Sequence, residues 1–147
     1  MLSLESDGKR TVTILIGLGK KADWDVAEWR EVIADAVTKA RTTKLTELVI
    51  DTTDLPIGNY RIFAKETGLA YYLSDYRFSL KSEKEEADPS RKMMVVLKDQ
   101  KHVKETQLGI EEAELIAKGI YLTRDLINLP ASHVGPDEMA AEARHIA

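Results

Sequence analysis

The chain has 147 residues, no cysteine, 44% hydrophobic and 31% charged residues, and a formal net charge of −4. A chain of this length can bury a core without cross-links, and without cysteine it has neither disulfides nor thiolate metal ligands. Because the charge is mildly acidic and no apolar run approaches the roughly 18 residues of a membrane span, we expect a cytoplasmic protein with no nucleic-acid and no membrane partner.

Apolar runs predict three strands. Thr11–Ile16 is β-branched and apolar almost throughout, which is typical of a strand covered on both faces. Glu47–Thr52 and Met93–Lys98 are two further short apolar runs. Helical segments separate the three runs, and this alternation predicts an α/β fold with a mainly parallel sheet.

Helical spacing of apolar residues predicts two helices before the last strand. The first covers Trp24–Arg41, with Asp23 or Asp25 available as its N-cap. The second lies around Ile62–Leu73 and ends before Tyr76, although Gly68 lowers its helix propensity.

Two more helices are predicted after the last strand. Three acidic residues crowd what we take to be the first turn of the third helix: Glu111, Glu112 and Glu114. Its apolar residues cover a wide arc, so we expect it to be buried on more than one side and to bridge two packed bodies. Pro130 ends it. A last helix opens at Pro136 and is still running at Ala147, so we expect the chain to be part of a longer protein.

A glycine motif follows the first strand. Gly17–Ala22 reads GLGKKA and fits the G-x-G-x-x-A pattern of dinucleotide-binding turns. Asp23 and Asp25, however, put carboxylates where phosphates would bind, and Asp51 follows too late to be the ribose-binding acid. We therefore interpret the motif as a plain turn between strand and helix.

The histidines and acidic clusters do not form a recognisable active site. His102, His133 and His145 are too far apart in the sequence for the spacing of a metal-binding motif. The acids of the polar stretch Lys81–Lys92 and those of the third helix are typical of solvated faces. The residues thus indicate no catalytic, cofactor-binding or metal-binding set. Five aromatic residues are better explained by core or interface packing than by base stacking: Trp24, Trp29, Tyr71, Tyr72 and Tyr76.

The end of the chain carries a resemblance. Gly119–Ala147 reads GIYLTRDLINLPASHVGPDEMAAEARHIA and resembles the junction segment of the leucyl aminopeptidase (cytosol aminopeptidase) family. There a helix carrying Ala-Arg-Asp-Leu-Val-Asn is followed by Pro-x-Asn and by a Thr-Pro that opens a helix. The matching positions are Arg124, Asp125, Leu126, Asn128, Pro130, Pro136 and Ala141–Ala143. Two departures are Ser132 or His133 in place of Asn, and Gly135 in place of Thr.

Two upstream segments are similar to the same family. Ile14–Lys20 resembles its strand ending in Gly-Leu-Gly. Glu66–Lys84 resembles its Glu-Gly-Leu, Tyr-x-Phe and Lys segment at four positions: Gly68, Tyr76, Phe78 and Lys81. The resemblance therefore spans most of the chain.

The resemblance implies a three-layer, macrodomain-like sheet followed by a linker helix. It implies an N-terminal α/β domain at 1–108, a connecting helix at 109–129 and the truncated start of a catalytic domain at 130–147. In this family of metallopeptidases two divalent ions, zinc or manganese, are held by residues that would follow Ala147. No catalytic, cofactor or metal residue is therefore carried over to this chain.

The expected function is that of a non-catalytic N-terminal domain fragment with a structural or assembly role. By resemblance, the parent hydrolase removes N-terminal residues such as leucine from peptides and assembles as a hexamer. The partners of the chain would then be the missing catalytic domain and other copies, with Trp24, Trp29 and the tyrosines as candidate contact residues. The alternative is a macrodomain-like module that binds a nucleotide or ADP-ribose, with Gly17, Gly19 and Asp51 lining its crevice.

Overall fold

Short strands and longer helices alternate along the chain. A computed structural model describes residues 2–6, 9–13, 15–18, 25–43, 45–78 and 91–146. Its strands are β1 (Leu2–Ser6), β2 (Lys9–Thr13), β3 (Glu47–Asp51) and β4 (Lys92–Val96). Its α-helices are α1 (Val26–Thr42), α2 (Tyr60–Asp75), α3 (Val103–Asn128) and α4 (Pro136–Ile146), with a short 3₁₀ turn at Gln100–His102 before α3.

The first helix begins as its sequence predicts. The carboxylate of Asp25 accepts a hydrogen bond from the Ala27 N–H at 2.5 Å, which makes Asp25 the N-cap of α1. The inward face of α1 is then buried at Trp29, Ile33 and Val37. These side chains form the core with Ile50 of β3 and with residues of α2: Phe63, Ala70 and Tyr71.

The parallel sheet is smaller than predicted in the described part of the chain. β3 and β4 pair in parallel, with Glu47 opposite Lys92 and Asp51 opposite Val96. The predicted first strand is displaced, because β2 covers Lys9–Thr13 and pairs with β1 in an antiparallel hairpin. The prediction that Thr11–Ile16 forms a strand covered on both faces is wrong, since Leu15 lies outside any strand and is 83% exposed. The coarse prediction of an α/β protein is confirmed.

One face of the sheet packs on the helices and the other is open. Leu48, Ile50 and Met93 belong to or pack against the core. On the opposite face Val49 is 56% exposed and Met94 is 46% exposed. Alternation along a pleated strand places these two sets on opposite sides. The outer face of this two-stranded sheet is therefore apolar without being buried.

The two central helices approach each other through small residues. A Cβ on Gly68 of α2 would lie 2.7 Å from the Cβ of Ala113 on α3. A Cβ on Gly109 of α3 would lie 2.9 Å from the Cβ of Ala64 and would also meet the carbonyl oxygen of Arg61. Gly68 is thus present for close packing, and the second helix continues through it.

The third helix starts earlier than predicted. It begins at Val103, eight residues before Glu111, so the acids at 111, 112 and 114 lie in its third and fourth turns instead of its first. They are held by side chains: Glu111 accepts from Gln107, Glu112 pairs with Arg61 of α2, and Glu114 pairs with Lys118. Side-chain pairs within α3 and with α2, not the helix dipole, account for this acidic cluster.

The last helix begins at Pro136 as predicted. Gly135 precedes it without a hydroxyl, and the carboxylate of Glu138 accepts from the Gly135 N–H at 2.9 Å. This is half of a capping box, and it shows how the helix starts where the resembling pattern has threonine. Among the described residues no helix is long and apolar enough to cross a membrane.

Candidate functional site

Three of the residues singled out by the resemblance, Tyr76, Arg124 and Asp125, meet where α2 ends against α3. The hydroxyl of Tyr76, the C-cap residue of α2, donates to the carboxylate of Asp125 at 2.6 Å. The Tyr76 ring stacks on the ring of Tyr121 with 5.0 Å between ring centres. The guanidinium carbon of Arg124 lies 5.2 Å from the centre of the Tyr76 ring. We call Tyr76, Tyr121, Arg124 and Asp125 the tyrosine clasp.

The clasp also satisfies the end of α2. Carbonyl groups in the last turn of a helix lack backbone partners, and side chains or water must supply them. Arg124 donates to the carbonyl oxygen of Leu73 at 3.3 Å. The hydroxyl of Tyr121 donates to the carbonyl oxygen of Tyr72, which also accepts from the backbone N–H of Tyr76 at 3.1 Å. Two side chains of α3 thereby fasten the C-terminus of α2.

A buried ion pair lies next to the clasp, because its acid, Asp75, directly precedes Tyr76. The side chain of Arg91, just before β4, is only 2% exposed and lies 2.5 Å from the carboxylate of Asp75. The hydroxyl of Tyr71 donates to the carbonyl oxygen of Arg91 at 2.6 Å. These bonds tie the start of β4 to the last turns of α2, so strand, helix and clasp form one connected region.

The electrostatics of this region make its tyrosines neutral hydrogen-bond donors. Burial raises the pKa of Tyr71 to about 12, with the charge of Asp75 adding to the effect. Burial likewise raises the pKa of Tyr121 to about 12. The pKa of Tyr76 is raised by desolvation and by its bond to Asp125. A tyrosine held protonated donates a hydrogen bond, and in this region the tyrosine hydroxyls fasten the two helices and the strand.

The other residues considered in the sequence do not come together. The His102 ring stacks on Tyr60, with ring centres 3.7 Å apart, and is half-buried. His133 contacts the neighbouring Ser132 hydroxyl, and His145 is exposed near the end of α4. Within the described ranges no group of three or more histidine, aspartate or glutamate side chains could hold a metal ion.

In the alternative interpretation, a nucleotide or ADP-ribose would bind in a crevice near Gly17, Gly19 and Asp51, and the described residues there are apolar or acidic. Gly17 is exposed and Gly19 lies outside the described residues. Asp51 is exposed, and its carboxylate accepts from the Thr53 N–H at 3.0 Å and the Thr53 hydroxyl at 2.8 Å, which lowers its pKa. A cavity of about 610 Å³ runs beside β3, and Asp51 and Glu47 are the charged residues among those lining it. Among the described residues no lysine or arginine lines this cavity, and the two carboxylates repel a diphosphate.

The predicted aromatic contact surface needs correction. Trp29 is 4% exposed, and its indole N–H donates to the hydroxyl of Thr67 at 2.8 Å. Tyr71 is equally buried. Both belong to the core because each has its polar atom satisfied inside the molecule. Several residues named above lie outside the described residues: Lys20, Lys21, Asp23, Trp24, Lys81 and the acids at 83, 85 and 86.

The exposed apolar area lies on α3 instead. Leu115 is 70% exposed and Ile127 is 77% exposed. The buried residues of the same helix are all small: Thr106, Gly109, Ala113 and Ala117. In the described chain α3 is fully buried only along the small-residue stripe, and its burial on a second side by another packed body stays a prediction.

Sequence reasoning missed part of this region. Asp75, Arg91 and Tyr121 carry no motif, and Tyr76 and Asp125 are 49 positions apart, so no periodicity connects them. Only the resemblance drew attention to Arg124 and Asp125, and Tyr76 was otherwise noted only as an aromatic residue for packing. Gly109 begins the connecting helix that the resemblance implies and could have been flagged there as a close-packing glycine.

Comparisons with known proteins agree with the resemblance. A profile of the cytosol aminopeptidase family, N-terminal domain, matches residues 2–84. The chain is 29% identical over 136 residues to a probable cytosol aminopeptidase of Rhizobium leguminosarum bv. trifolii, covering 90% of this chain and 27% of the relative. It is 32% identical over 140 residues to a probable cytosol aminopeptidase of Roseiflexus castenholzii, covering 91% of this chain and 28% of the relative. The chain thus spans little more than a quarter of the length of these relatives.

Proposed function

The chain belongs to the cytosol aminopeptidase family, and from that premise we propose that it is the non-catalytic N-terminal part of a cytoplasmic metal-dependent aminopeptidase. Its role is to support the catalytic domain and to help the subunits assemble. Helix α3 is the connection between the two domains, and the residues from Pro130 onwards belong to the catalytic side. In the whole enzyme the substrate would be a peptide that loses its N-terminal residue.

One observation carries this proposal. Helix α3 packs on α2 through small residues, while Leu108 and Leu115, seven residues apart on the opposite side of the helix, are 38% and 70% exposed, and Ile127 is 77% exposed near its end. Exposed large apolar side chains that share one face of a helix mark a surface that binds another protein body. The tyrosine clasp fixes the second half of α3, so these side chains are presented on a rigid support.

The chemistry of the enzyme is assigned to the rest of the protein. Two divalent ions, zinc or manganese, would polarise the scissile carbonyl and activate water in the parent enzyme. The described residues do not fit such a centre, since no three potential ligands lie together. We therefore derive no metal-dependent step from this chain, and we assign the binding of peptide and metal to the domain that α3 would contact.

The proposal is tested by the association state of the isolated chain. We expect light scattering to show dimers or larger species and an apolar dye to bind, because α3 lacks its partner surface. The double variant L115Q/I127Q removes the two most exposed side chains of α3 and should yield a monomer with weaker dye binding. The matched control is K104Q, an exposed substitution on the same helix. A monomeric parent chain that binds no dye would contradict the proposal.

A second measurement tests whether the chain alone has aminopeptidase activity. Incubation of the chain with leucine p-nitroanilide and Mn²⁺ or Zn²⁺ should give no metal-dependent hydrolysis. Any turnover that requires the metal and survives repurification would show that the catalytic groups are present in this chain, and the assignment of a purely structural role would be wrong.

A further inference from the structure

Helix α3 contains a glycine that contacts within the described chain do not explain. A Cβ on Gly109 would meet atoms of α2, so close packing accounts for that glycine. Gly119 is exposed, and a Cβ there would have nothing within 4 Å among the described residues. A glycine inside a helix costs about 0.5–1 kcal/mol relative to alanine. Gly119 therefore leaves space on the outer face of α3 for a side chain of another body.

Large apolar residues flank this space at a regular spacing. Four positions of α3 are separated by four, three and four residues, which is the core spacing of paired helices. We call them the leucine row: Leu115, Gly119, Leu122 and Leu126. Leu115 is 70% exposed, while Leu122 and Leu126 are half-buried. The next position toward the start of α3 is Glu112, which pairs with Arg61 and ends the row.

The leucine row is complementary to itself in an antiparallel pair of α3 helices. When Leu115 lies opposite Leu126 of a second copy, four residues forward on one helix correspond to four residues back on the other. Gly119 then lies opposite Leu122 of the second copy, whose side chain fills the space at the glycine. Two-fold symmetry repeats both contacts. A parallel pair would place Gly119 opposite Gly119 and leave this space empty, so the row favours the antiparallel arrangement.

The charges beside the leucine row fit the same register. Lys118 and Asp125 are seven residues apart and lie on one flank of α3. In an antiparallel pair this flank faces its own copy, so Lys118 lies opposite Asp125 of the second copy and the reverse. Lys118 is paired with Glu114, but its ammonium has three donors. Tyr76 bonds to Oδ1 of Asp125, and a carboxylate has a second oxygen that can accept from the lysine.

We propose that two copies of this chain associate through an antiparallel pair of α3 helices with the leucine row as its core. The inference rests on the proposed function, because it names the surface through which subunits assemble. Leu108 and Ile127 lie outside the leucine row and remain available to the catalytic domain. The tyrosine clasp holds this half of α3 against α2, so the row is presented on a rigid support.

Disulfide cross-linking tests the register, because the chain has no cysteine of its own. Equal amounts of L115C and L126C are mixed and oxidised in a glutathione buffer. We expect mainly disulfides between the two variants, because these positions face each other. Residue 115 lies about 16 Å along the axis from residue 115 of the second copy, beyond the reach of a disulfide. K104C mixed with L126C is the control and should give no excess of the mixed product.

Two outcomes of the cross-linking would overturn the proposal. Disulfides mainly between two L115C chains would show a parallel pair. A mixed product of about one half, as random pairing gives, would show association without a register. If L115Q/I127Q still converts an oligomer into a monomer in that case, only this inference fails. A monomeric parent chain would contradict the proposed function as well.

Dissociation constants from sedimentation test the contacts themselves. G119A should weaken association about fivefold or more, because the added Cβ takes the space of Leu122 of the second copy, although alanine favours the helix itself. K118E should weaken it about as much, because both symmetric contacts then oppose Asp125. K104E makes the same charge change on the same flank, outside the paired section, and is the control. An unchanged dissociation constant in G119A or K118E would refute the register.

Discussion

The contact between α2 and α3, which we call the seam, is closely packed, whereas the sheet formed by β3 and β4 is covered on one face only. At the seam, Gly68 and Gly109 let the helices approach closely, and the tyrosine clasp closes one end with side-chain bonds. In the sheet, Ile50 is 8% exposed on the inner face while Val49 beside it is 56% exposed on the outer face. Both sheet faces are apolar, yet the described residues cover only one.

The difference shows which part of the molecule is self-sufficient. A helix pair that buries its small residues and satisfies its terminal carbonyls needs no further partner along that face. A sheet whose strands are apolar on both faces is usually covered by other elements on both faces. Here the described residues cover only one face, which is typical of a sheet that packs against a further layer. The seam is therefore closed by its own residues, whereas the outer sheet face, at Val49 and Met94, stays apolar and exposed in the described part of the chain.

Among the variants that test this comparison, substitution of Gly109 by alanine should lower the free energy of unfolding the most. The added Cβ would meet the carbonyl oxygen of Arg61 and lie 2.9 Å from the Lys65 nitrogen, so backbone must move. We expect G109A to lower the free energy of unfolding by about 3 kcal/mol or more, measured by urea denaturation. G119A is the control, because a Cβ there has nothing within 4 Å and the change should stabilise the helix by about 0.5–1 kcal/mol. Similar losses for both variants would show that the seam is not closely packed.

Substitutions on the two faces of β3 should give the next largest difference in the free energy of unfolding. I50T places a hydroxyl in the core and should cost about 2–3 kcal/mol in the free energy of unfolding. V49T makes a similar chemical change on the exposed neighbour and should stay within about 0.5 kcal/mol. Urea denaturation of both variants tests whether the outer face is open in solution. A loss at Val49 comparable to that at Ile50 would mean that something covers this face.

Removal of one bond from the clasp should have a smaller effect. Y76F keeps the ring stacked on Tyr121 but removes the hydroxyl that donates to Asp125. We expect a loss of about 1 kcal/mol in the free energy of unfolding, measured by urea denaturation. Y76A removes the ring as well and should cost clearly more. Equal stability of Y76F and the parent chain would show that the bond to Asp125 does not hold the helices together.

The elements defined by local signals were predictable, and those defined by distant contacts were not. The Asp25 cap, β3, the end of α2 and the start of α4 at Pro136 follow from capping, periodicity and proline. The hairpin of β1 and β2 was missed although Asp7-Gly8, the pair between its strands, is typical of such turns. The start of α3 was misplaced because an acidic cluster was assigned to a helix dipole, whereas its members are held by side chains such as Arg61 of α2.

The site was predictable only in part for the same reason. Spacing cannot bring Tyr76 to Asp125, because helix packing decides which residues far apart in sequence meet. Trp29 illustrates a different error, because it was named as a candidate contact residue. A large aromatic side chain on a helix can lie in an interface or in a core, and its spacing does not distinguish the two. Its bond to the hydroxyl of Thr67, which no local pattern reveals, placed it in the core.

The smallest expected effect is a decrease in the free energy of unfolding at alkaline pH, caused by the ionisation of a tyrosine in the seam. Burial raises the pKa of Tyr121 from 10.0 to about 12. Above about pH 10 the unfolded chain therefore loses this proton first, so stability is fully present below that pH and is lost as the pH rises toward 12. Since Tyr121 is only partly buried, the slope should be well below the roughly 1.4 kcal/mol per pH unit of one whole proton. Y121F keeps the ring but cannot ionise, so its free energy of unfolding should fall less steeply than that of the parent chain between about pH 9 and pH 11. Parallel slopes for the two proteins would show that Tyr121 ionises as easily in the folded chain as in the unfolded one, and the seam would then be more open to water than the sheet face to which it is compared.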